Sequence, residues 1–242
     1  MKTLKHSLLL LTALVCFAQV HAQTTDDIVN KHIEAMGGKD KQAQLKSLHM
    51  DMTMQIMGNE ALSSVTIVEG KGSRSESDVM GQKVIQVVTD TSGWMINPMA
   101  GAATAQAMPE EQYKQGANQI YATSPLYNYT EKGSTLELQG QEKVGDVNAY
   151  KLKITNKAGN AATYYIDPNT YYIIQMSVNG EMMGNPVTIT VTNSDFQKTP
   201  EGYVFPRAIQ TDMGGQFSIT AKVTKVDVNP TVDATIFDMP KQ

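Results

Sequence analysis

The chain has 242 residues and a formal net charge of −4. This acidic balance argues against nucleic-acid binding, which depends on basic patches. Hydrophobic residues make up 41% of the chain, enough for a sizeable core, and neither GxxxxGK[ST] nor GxGxxG occurs, so a phosphate-binding loop is not indicated.

The first predicted element is a leader at residues 1–22. Two lysines precede an apolar run that ends in small residues at Ala22, a pattern typical of a cleaved secretory signal peptide. We expect cleavage after Ala22 and export of the mature chain. The alternative is a lipoprotein signal in which Cys16 is acylated, but Val15 stands where such signals carry Gly, Ala or Ser.

Cleavage changes the set of reactive residues. It removes two of the 20 basic residues, leaving 18 against 24 acidic ones and a net charge of −6. It also removes Cys16, the only cysteine, and leaves His32 and His49 as the histidines. A Cys/His zinc cluster and a cysteine nucleophile are thereby excluded. We expect residues 23–242 to form a single, non-enzymatic domain without metal or cofactor.

The segment TTDDIVNKHIEAMGG predicts the first helix of the mature chain. Thr25 is a capping residue, and apolar side chains recur at helical spacing until Gly37–Gly38 ends the helix. His32 lies on or beside this apolar stripe, which favours a core histidine over a ligand. A second short helix is predicted for KDKQAQLKSL.

From residue 47 the pattern changes to period two, which predicts a half-buried strand. Met50, Met52, Met54 and Ile56 fall on one face. Thioethers suit Cu(I), and methionine also builds adaptable apolar walls. Because same-face residues on a strand are roughly 6.6–7 Å apart, a copper site would need a further thioether from a neighbouring strand.

The methionine row has two further interpretations, a filled core and an open pocket or groove. The chain contains 15 methionines against five phenylalanines and one tryptophan. Methionine specifies core shape poorly and suits surfaces that accept varied partners, so both interpretations remain open.

About ten strands with short turns predict one antiparallel meander. The other strands are predicted for SSVTIVE, SRSESDVM, KVIQVVTD, GWMIN, STLELQGQEKV, AYKLKITN, ATYYID, YYIIQMSV, VTITVTNSDF and GQFSITAKVTKVDV. Residues 98–131 interrupt them with the unpatterned loop PMAGAATAQAM and a helix that begins at Pro109. This insert is a lid or a plain connector. Arg74 is either an exposed strand charge or a brace that bonds backbone carbonyls or a lid.

Several segments, taken in order, resemble one family. DDIVNKHIEAMGGKDKQAQLKSLHMDMTM, DTSGWMINPMAG, PEEQYKQ, YYIDPNTYYI and IFDMP are similar to bacterial periplasmic outer-membrane lipoprotein-sorting proteins of the LolA/LolB-like group. The resemblance implies an α+β fold: a strongly curved antiparallel sheet of about ten strands forms an unclosed half barrel. N-terminal and inserted helices cover its concave side.

The resemblance also implies a function. Proteins of this group shield lipoprotein acyl chains in an apolar cavity and work with transfer machinery of the inner and outer membranes. We therefore expect a lipid carrier, monomeric, with residues 98–112 gating the entrance. The expected lipid-binding residues are Met50, Met52, Met54, Ile56, Val65, Ile67, Trp94 and Ile96. The expected lid or gate residues are Met99, Met108, Tyr113 and Arg74. The alternatives are a non-catalytic envelope interaction module with a filled core and, less favoured, copper binding through the methionines.

Overall fold

One antiparallel sheet dominates the computed structural model, which describes residues 23–182 and 185–240. The leader at 1–22, with Cys16 and the predicted cleavage site, lies outside the described residues. Thirteen strands occur in order β6-β5-β4-β3-β2-β1-β13-β12-β11-β10-β9-β8-β7, and the sheet does not close into a barrel. The expected unclosed half barrel is confirmed.

The elements have the following bounds. The helices are α1 (Thr25–Ala35), α2 (Lys39–Gln44) and α3 (Glu110–Gly116). The strands are β1 (Ser47–Ile56), β2 (Asn59–Val68), β3 (Gly72–Val79), β4 (Gln82–Thr89), β5 (Gly93–Asn97), β6 (Ala102–Ala107), β7 (Thr135–Val144), β8 (Val147–Thr155), β9 (Ala161–Ile166), β10 (Ile173–Met182), β11 (Asn185–Lys198), β12 (Val204–Met213) and β13 (Ser218–Val228). Short 3-10 turns span Pro98–Ala100, Ala117–Ile120 and Ala234–Phe237.

The chain lays down the sheet in two runs that meet at β1 and β13. The first run ends at the edge strand β6, and the second begins at the opposite edge strand β7. Residues 108–134, which we call the crossover, therefore link the two edges and contain α3. None of the helices in the described ranges has the length and apolarity needed to cross a bilayer.

Strand register separates the sheet into two faces, because directly opposed residues of antiparallel strands share a face. One continuous row is Leu138, Leu152, Tyr164, Met176, Val191, Thr211, Ile219 and Ile56. The helices and the crossover cover this side, which we call the inner face. A second row is Trp94, Val87, Arg74, Thr66 and His49. It belongs to the opposite side, the outer face.

Helix α1 packs on the inner face at the β7–β10 wing. A capping box between Thr24 and Asp27 begins the helix, one residue earlier than the predicted cap at Thr25. Its buried side chains are Ile28, Val29, His32 and Ile33. The apolar ones join a core cluster with Leu126, Leu152, Ile154, Tyr164 and Ile166. Burial of each such aliphatic side chain contributes about 1.5–3 kcal/mol.

The carboxyl-terminal 3-10 turn packs on the outer face. The Phe237 ring covers Gly72, where a Cβ atom would lie 3.0 Å from the ring. The Trp94 indole Nε1 donates a hydrogen bond of 2.8 Å to the Phe237 carbonyl. Ile85, Val87 and Trp94 form a buried cluster with Phe237, so the outer face has a small core of its own in this half of the sheet.

Two strands escaped the sequence prediction. Residues 98–112 were expected to be a loop and the start of a helix, but they also contain the edge strand β6, whose small residues give no apolar alternation. Strand β12 was missed because Pro206, which has no N–H, interrupts its apolar pattern. Pro206 opposes Phe196, beside Asp195 with φ of 51°, in an irregular part of the β11–β12 ladder.

Two hairpin turns hold methionine in a left-handed conformation. Met57–Gly58 and Met80–Gly81 form two-residue turns in which both residues have positive φ, at 50° and 82° and at 54° and 75°. Positive φ at both positions defines a type I′ turn, where Asn-Gly is preferred. The two methionine side chains are 77% and 70% exposed, so packing does not compensate for the strain.

Met57→Asn and Met80→Asn are each expected to raise the free energy of unfolding by about 0.5–1 kcal/mol, because asparagine tolerates the left-handed region better than methionine. Urea unfolding measures the change. Met99→Asn is the matched control, since Met99 is also an exposed methionine in a turn but lacks a positive φ. An equal gain at residue 99 would show that backbone strain is not the cause.

Candidate functional site

The methionine row of β1 lies on the inner face. Met50, Met52, Met54 and Ile56 are all partly exposed, so they form a surface rather than a filled core. Their opposed residues are Val65, Ser63 and Ala61 in β2, and Val226, Val223, Ala221 and Ile219 in β13. Apart from the Ser63 hydroxyl, which bonds the Glu76 carbonyl and the Ser77 hydroxyl, these side chains make an apolar wall with an adaptable centre.

The register gives no support to a copper site in this row. No methionine opposes Met50, Met52 or Met54 on either neighbouring strand. The further thioether that Cu(I) would need is therefore missing at those positions. Across the described ranges, no group of three or more His, Cys, Asp or Glu residues could hold a metal ion either.

The other four expected lipid-binding residues divide between the two faces. Val65 and Ile67 lie on the inner face beside the methionine row. Trp94 and Ile96 pair with Val87 and Ile85 and lie on the outer face, so their expected place in the same wall is wrong. Trp94 is only 3% exposed, because the carboxyl-terminal turn covers it.

A cavity of about 390 Å³ lies between the crossover and the inner face of β8–β10. From the sheet, its walls include Ile154, Ala162, Tyr164, Met176 and Val178; from the crossover, they include Gln119, Tyr121, Thr123, Pro125 and Lys132. Burial raises the pKa of Tyr164 to about 12, so its phenol stays neutral. The cavity is therefore largely apolar, with polar groups along its crossover side.

A partly buried carboxylate holds the crossover against the β2–β3 turn. Glu69 accepts hydrogen bonds from the backbone N–H groups of Ala122, at 2.6 Å, and Thr123, at 3.0 Å. The Thr123 hydroxyl donates a third bond of 2.7 Å to the same carboxylate. The Gly70 N–H also donates to the Ile120 carbonyl at 2.9 Å. These bonds fix the middle of the crossover.

Lys132 closes the crossover onto itself. Its ammonium donates to the Thr123 hydroxyl at 2.8 Å and the Ser124 carbonyl at 3.3 Å, and lies 4.5 Å from the centre of the Tyr121 ring. Burial lowers the pKa of Lys132, and the nearby Glu69 charge opposes this shift. The lysine is therefore a structural cation of the crossover.

His32 joins α1 to the crossover. Its Nδ1 lies 2.7 Å from the Tyr171 carbonyl, which can only accept, so Nδ1 carries the proton. Its Nε2, 2.7 Å from the Ser124 hydroxyl, therefore accepts a hydrogen bond from it. Ser124 also accepts from the Leu126 N–H and donates its own N–H to Gln42. The histidine is 1% exposed, as expected for a core residue, and a carbonyl rather than a carboxylate orients it.

Acid is expected to destabilise the protein through His32. Burial lowers the pKa of His32 from 6.5 to about 4, so between these values the unfolded chain binds a proton that the folded protein does not. The free energy of unfolding should therefore fall as pH falls, by about 1.4 kcal/mol per pH unit and by about 3 kcal/mol in total. Urea unfolding between pH 7.5 and 4 measures this slope. His32→Gln should remove most of it; an unchanged slope would contradict the assignment.

The expected gate residues have different places. Met99 is an exposed turn residue, and Met108 is buried over Gly93, whose carbonyl accepts the Met108 N–H at 2.8 Å. The Tyr113 hydroxyl donates to the Thr89 carbonyl at 3.3 Å and fastens α3 to the sheet. Arg74 lies on the outer face, so its expected place at a gate is wrong.

Arg74 is nevertheless a brace for a backbone carbonyl. Its guanidinium bonds Glu76 at 2.6 Å and the Ile236 carbonyl at 2.8 Å, and its Cζ lies 5.5 Å from the centre of the Trp94 ring. Of the two roles predicted for Arg74, the structure therefore contains the brace that bonds a backbone carbonyl. This carbonyl belongs to the carboxyl-terminal turn and not to a lid.

Arg207 was not singled out by the sequence. It belongs to β12 and shares the inner face with Ile209, which opposes Ala221 of β13. Its Nε is buried without a hydrogen-bond partner. The alternation of Phe205, Arg207 and Ile209 would have placed it on the inner face, had β12 been recognised as a strand.

One end of the sheet presents several exposed methionine side chains. The β1–β2, β3–β4 and β5–β6 turns lie at this end, and Met57, Met80 and the 55% exposed Met99 project there. The turns at the other end contain charged residues such as Glu69, Lys71 and Asp90. Glu60, Asp78 and Lys83 flank two of the methionine turns, so the exposed methionines, and not an absence of charge, distinguish this end.

No family model and no curated protein matches the chain, but solved structures share its fold. A LolA superfamily protein from Nitrosomonas europaea has a TM-score of 0.58 at 13% identity, over 90% of this chain and 98% of that chain. A domain named for outer-membrane lipoprotein sorting, from Vibrio parahaemolyticus, has a TM-score of 0.57 at 12% identity, over 88% and 95%. A DUF1329 family protein from Desulfovibrio piger has a TM-score of 0.57 at 12% identity, over 88% and 96%. The chain therefore has a LolA-like fold, as the resemblance implied.

Proposed function

We propose that the protein is a periplasmic carrier that shields lipoprotein acyl chains or another lipid during transfer towards the outer membrane. The observation that carries the proposal is the partly exposed apolar wall of β1 and its neighbours on the inner face. A filled core would have buried these methionines. The LolA-like fold and the cavity of about 390 Å³ on the inner face of β8–β10 support the same proposal.

The physical need for such a wall is simple. Burying one CH₂ group is worth about 0.8 kcal/mol, so a 16-carbon chain loses on the order of 10 kcal/mol of stabilisation when it leaves a membrane for water. A carrier must replace most of this lost stabilisation. Methionine suits the task, since its flexible thioether adapts to chains of different length and branching.

The carrier role is non-catalytic and needs no cofactor. The leader directs the protein to the periplasm, where it acts as a monomer with lipoprotein transfer machinery of the inner and outer membranes as its partners. The crossover covers the inner face as a lid, fastened by Glu69 and His32. The end of the sheet at which Met57 and Met80 are exposed is the route of entry.

A transfer assay tests the proposal. The mature protein is incubated with vesicles that contain a radiolabelled triacylated lipoprotein and labelled phospholipid, and the vesicles are then removed by flotation. We expect label to appear with the protein in the soluble fraction. If neither label leaves the vesicles, the carrier role is wrong and the envelope interaction module becomes the better account.

A further inference from the structure

Arg207 is the least explained charged residue of the inner face. Its Nε is buried, and its guanidinium makes no hydrogen bond, ion pair or ring contact with any of the described residues. The residue as a whole is only partly buried, but a buried N–H without a partner is unusual, because buried polar groups in proteins almost always have partners. An unpartnered arginine on an apolar face therefore suggests a partner that the chain itself does not supply.

Other cations of the protein have the partners that Arg207 lacks. Arg74, on the outer face, has a carboxylate, a backbone carbonyl and an aromatic ring around its guanidinium. Lys132, on the crossover, has a hydroxyl, a carbonyl and a ring around its ammonium. Arg207 has none of these, although the chain carries more acidic than basic residues.

The surroundings of Arg207 are suited to an amphiphile. Ile209 lies on the same face of β12, and Ala221 and Val223 continue that face in β13. Val223 opposes Met52, so the methionine row begins two strands away from Arg207, about 10 Å across the sheet. One cation thus lies beside a wall that is mostly apolar, with Asn193 of β11 opposite Ile209 on the same face.

We propose that Arg207 binds the acid group of an anionic acyl lipid whose chain lies along the methionine row. The planar guanidinium matches a carboxylate or a phosphate with two parallel hydrogen bonds. The inference rests on the proposed carrier function and narrows its ligand. The acyl chains of a lipoprotein are held as esters and amides, which carry no negative charge, so the site favours a free fatty acid or an acidic phospholipid.

The test compares three probes with the same 16-carbon chain: hexadecanoate, hexadecyl phosphate and hexadecanol. Their affinities for the mature protein are measured by displacement of a fluorescent acyl probe. The wild-type protein should bind at least one of the two acids about tenfold or more tightly than the alcohol, since charge-assisted hydrogen bonds are the strong ones. The tighter of the two acids identifies a carboxylate or a phosphate ligand.

Variants test whether Arg207 causes the preference for the acids over hexadecanol. Arg207→Met should remove the preference for the acids and leave hexadecanol binding within about twofold, and Arg207→Lys should retain part of it. Arg74→Met is the matched control, because it removes the outer-face arginine and should keep the preference. The inference is overturned if wild type binds all three probes equally, or if Arg207→Met retains the preference. Should wild type bind no probe at all, the carrier function itself fails.

Discussion

Replacing Met52 by aspartate is expected to abolish binding of acyl chains and to leave the protein folded. Met52 is partly exposed at the centre of the methionine row, between Ser63 and Val223. Water can hydrate a carboxylate there in the empty protein. A bound chain would strip that water away, at a cost of several kcal/mol, so affinity should fall by about 100-fold or more. Displacement of a fluorescent acyl probe measures the affinity, and circular dichroism reports the fold.

Thr53→Asp is the matched control for this prediction. Thr53 is the next residue of the same strand, faces outward and opposes Leu62 and Lys222. The Thr53→Asp substitution introduces the same charge on the outer face and should leave acyl-chain binding unchanged. Global unfolding of the Met52 variant would instead indicate that the row is an ordinary core. Equal losses in both variants would point to a general effect of charge on β1.

Glu69→Gln is expected to release the crossover from the sheet. The carboxylate accepts three hydrogen bonds, from the Ala122 and Thr123 N–H groups and the Thr123 hydroxyl. An amide presents its own N–H₂ to these donors and removes the charge, so we expect a loss of about 2–4 kcal/mol in the free energy of unfolding. Urea unfolding measures this loss. Hydrogen exchange at the amides of Ala122 and Thr123 should accelerate before that of the β1 amides.

Glu111→Gln offers the comparison, with a carboxylate that belongs to the crossover but does not fasten it. Glu111 is an exposed carboxylate in α3, and its replacement should change stability by less than about 0.5 kcal/mol. If the two variants are equally stable, the carboxylate of Glu69 does not hold the crossover. The proposed lid would then have to rest on His32 and Tyr113.

Local patterns predicted the parts of the site that lie within one element. The alternation in β1 predicted that Met50, Met52 and Met54 share one face. The apolar stripe of α1 predicted that His32 lies in the protein core. Both assignments depend only on the backbone period of a single segment. The order of helices, meander and insert then agreed with the half-barrel fold.

Relations between elements were harder to predict. Whether Trp94 shares a face with Met52 depends on the pairing register through four strands, and a shift of one residue reverses every face. Arg207 was overlooked because Pro206 concealed its strand. In the sequence, Glu69 is only the polar residue at the end of the predicted strand SSVTIVE. The three donors that it binds lie more than 50 residues further along the chain, so its role could not be predicted. Long-range partners of this kind leave no local signal.

Native mass spectrometry of the mature protein, purified gently from the periplasm, tests the central claim most directly. Organic extraction then identifies whatever the protein carries. A carrier with an open inner face should retain a lipid or an acylated peptide, and an acidic headgroup on that ligand would agree with the role of Arg207. A ligand-free mass, unchanged after incubation with lipoprotein-rich membranes, would contradict the account and leave the methionine row as a wall without cargo.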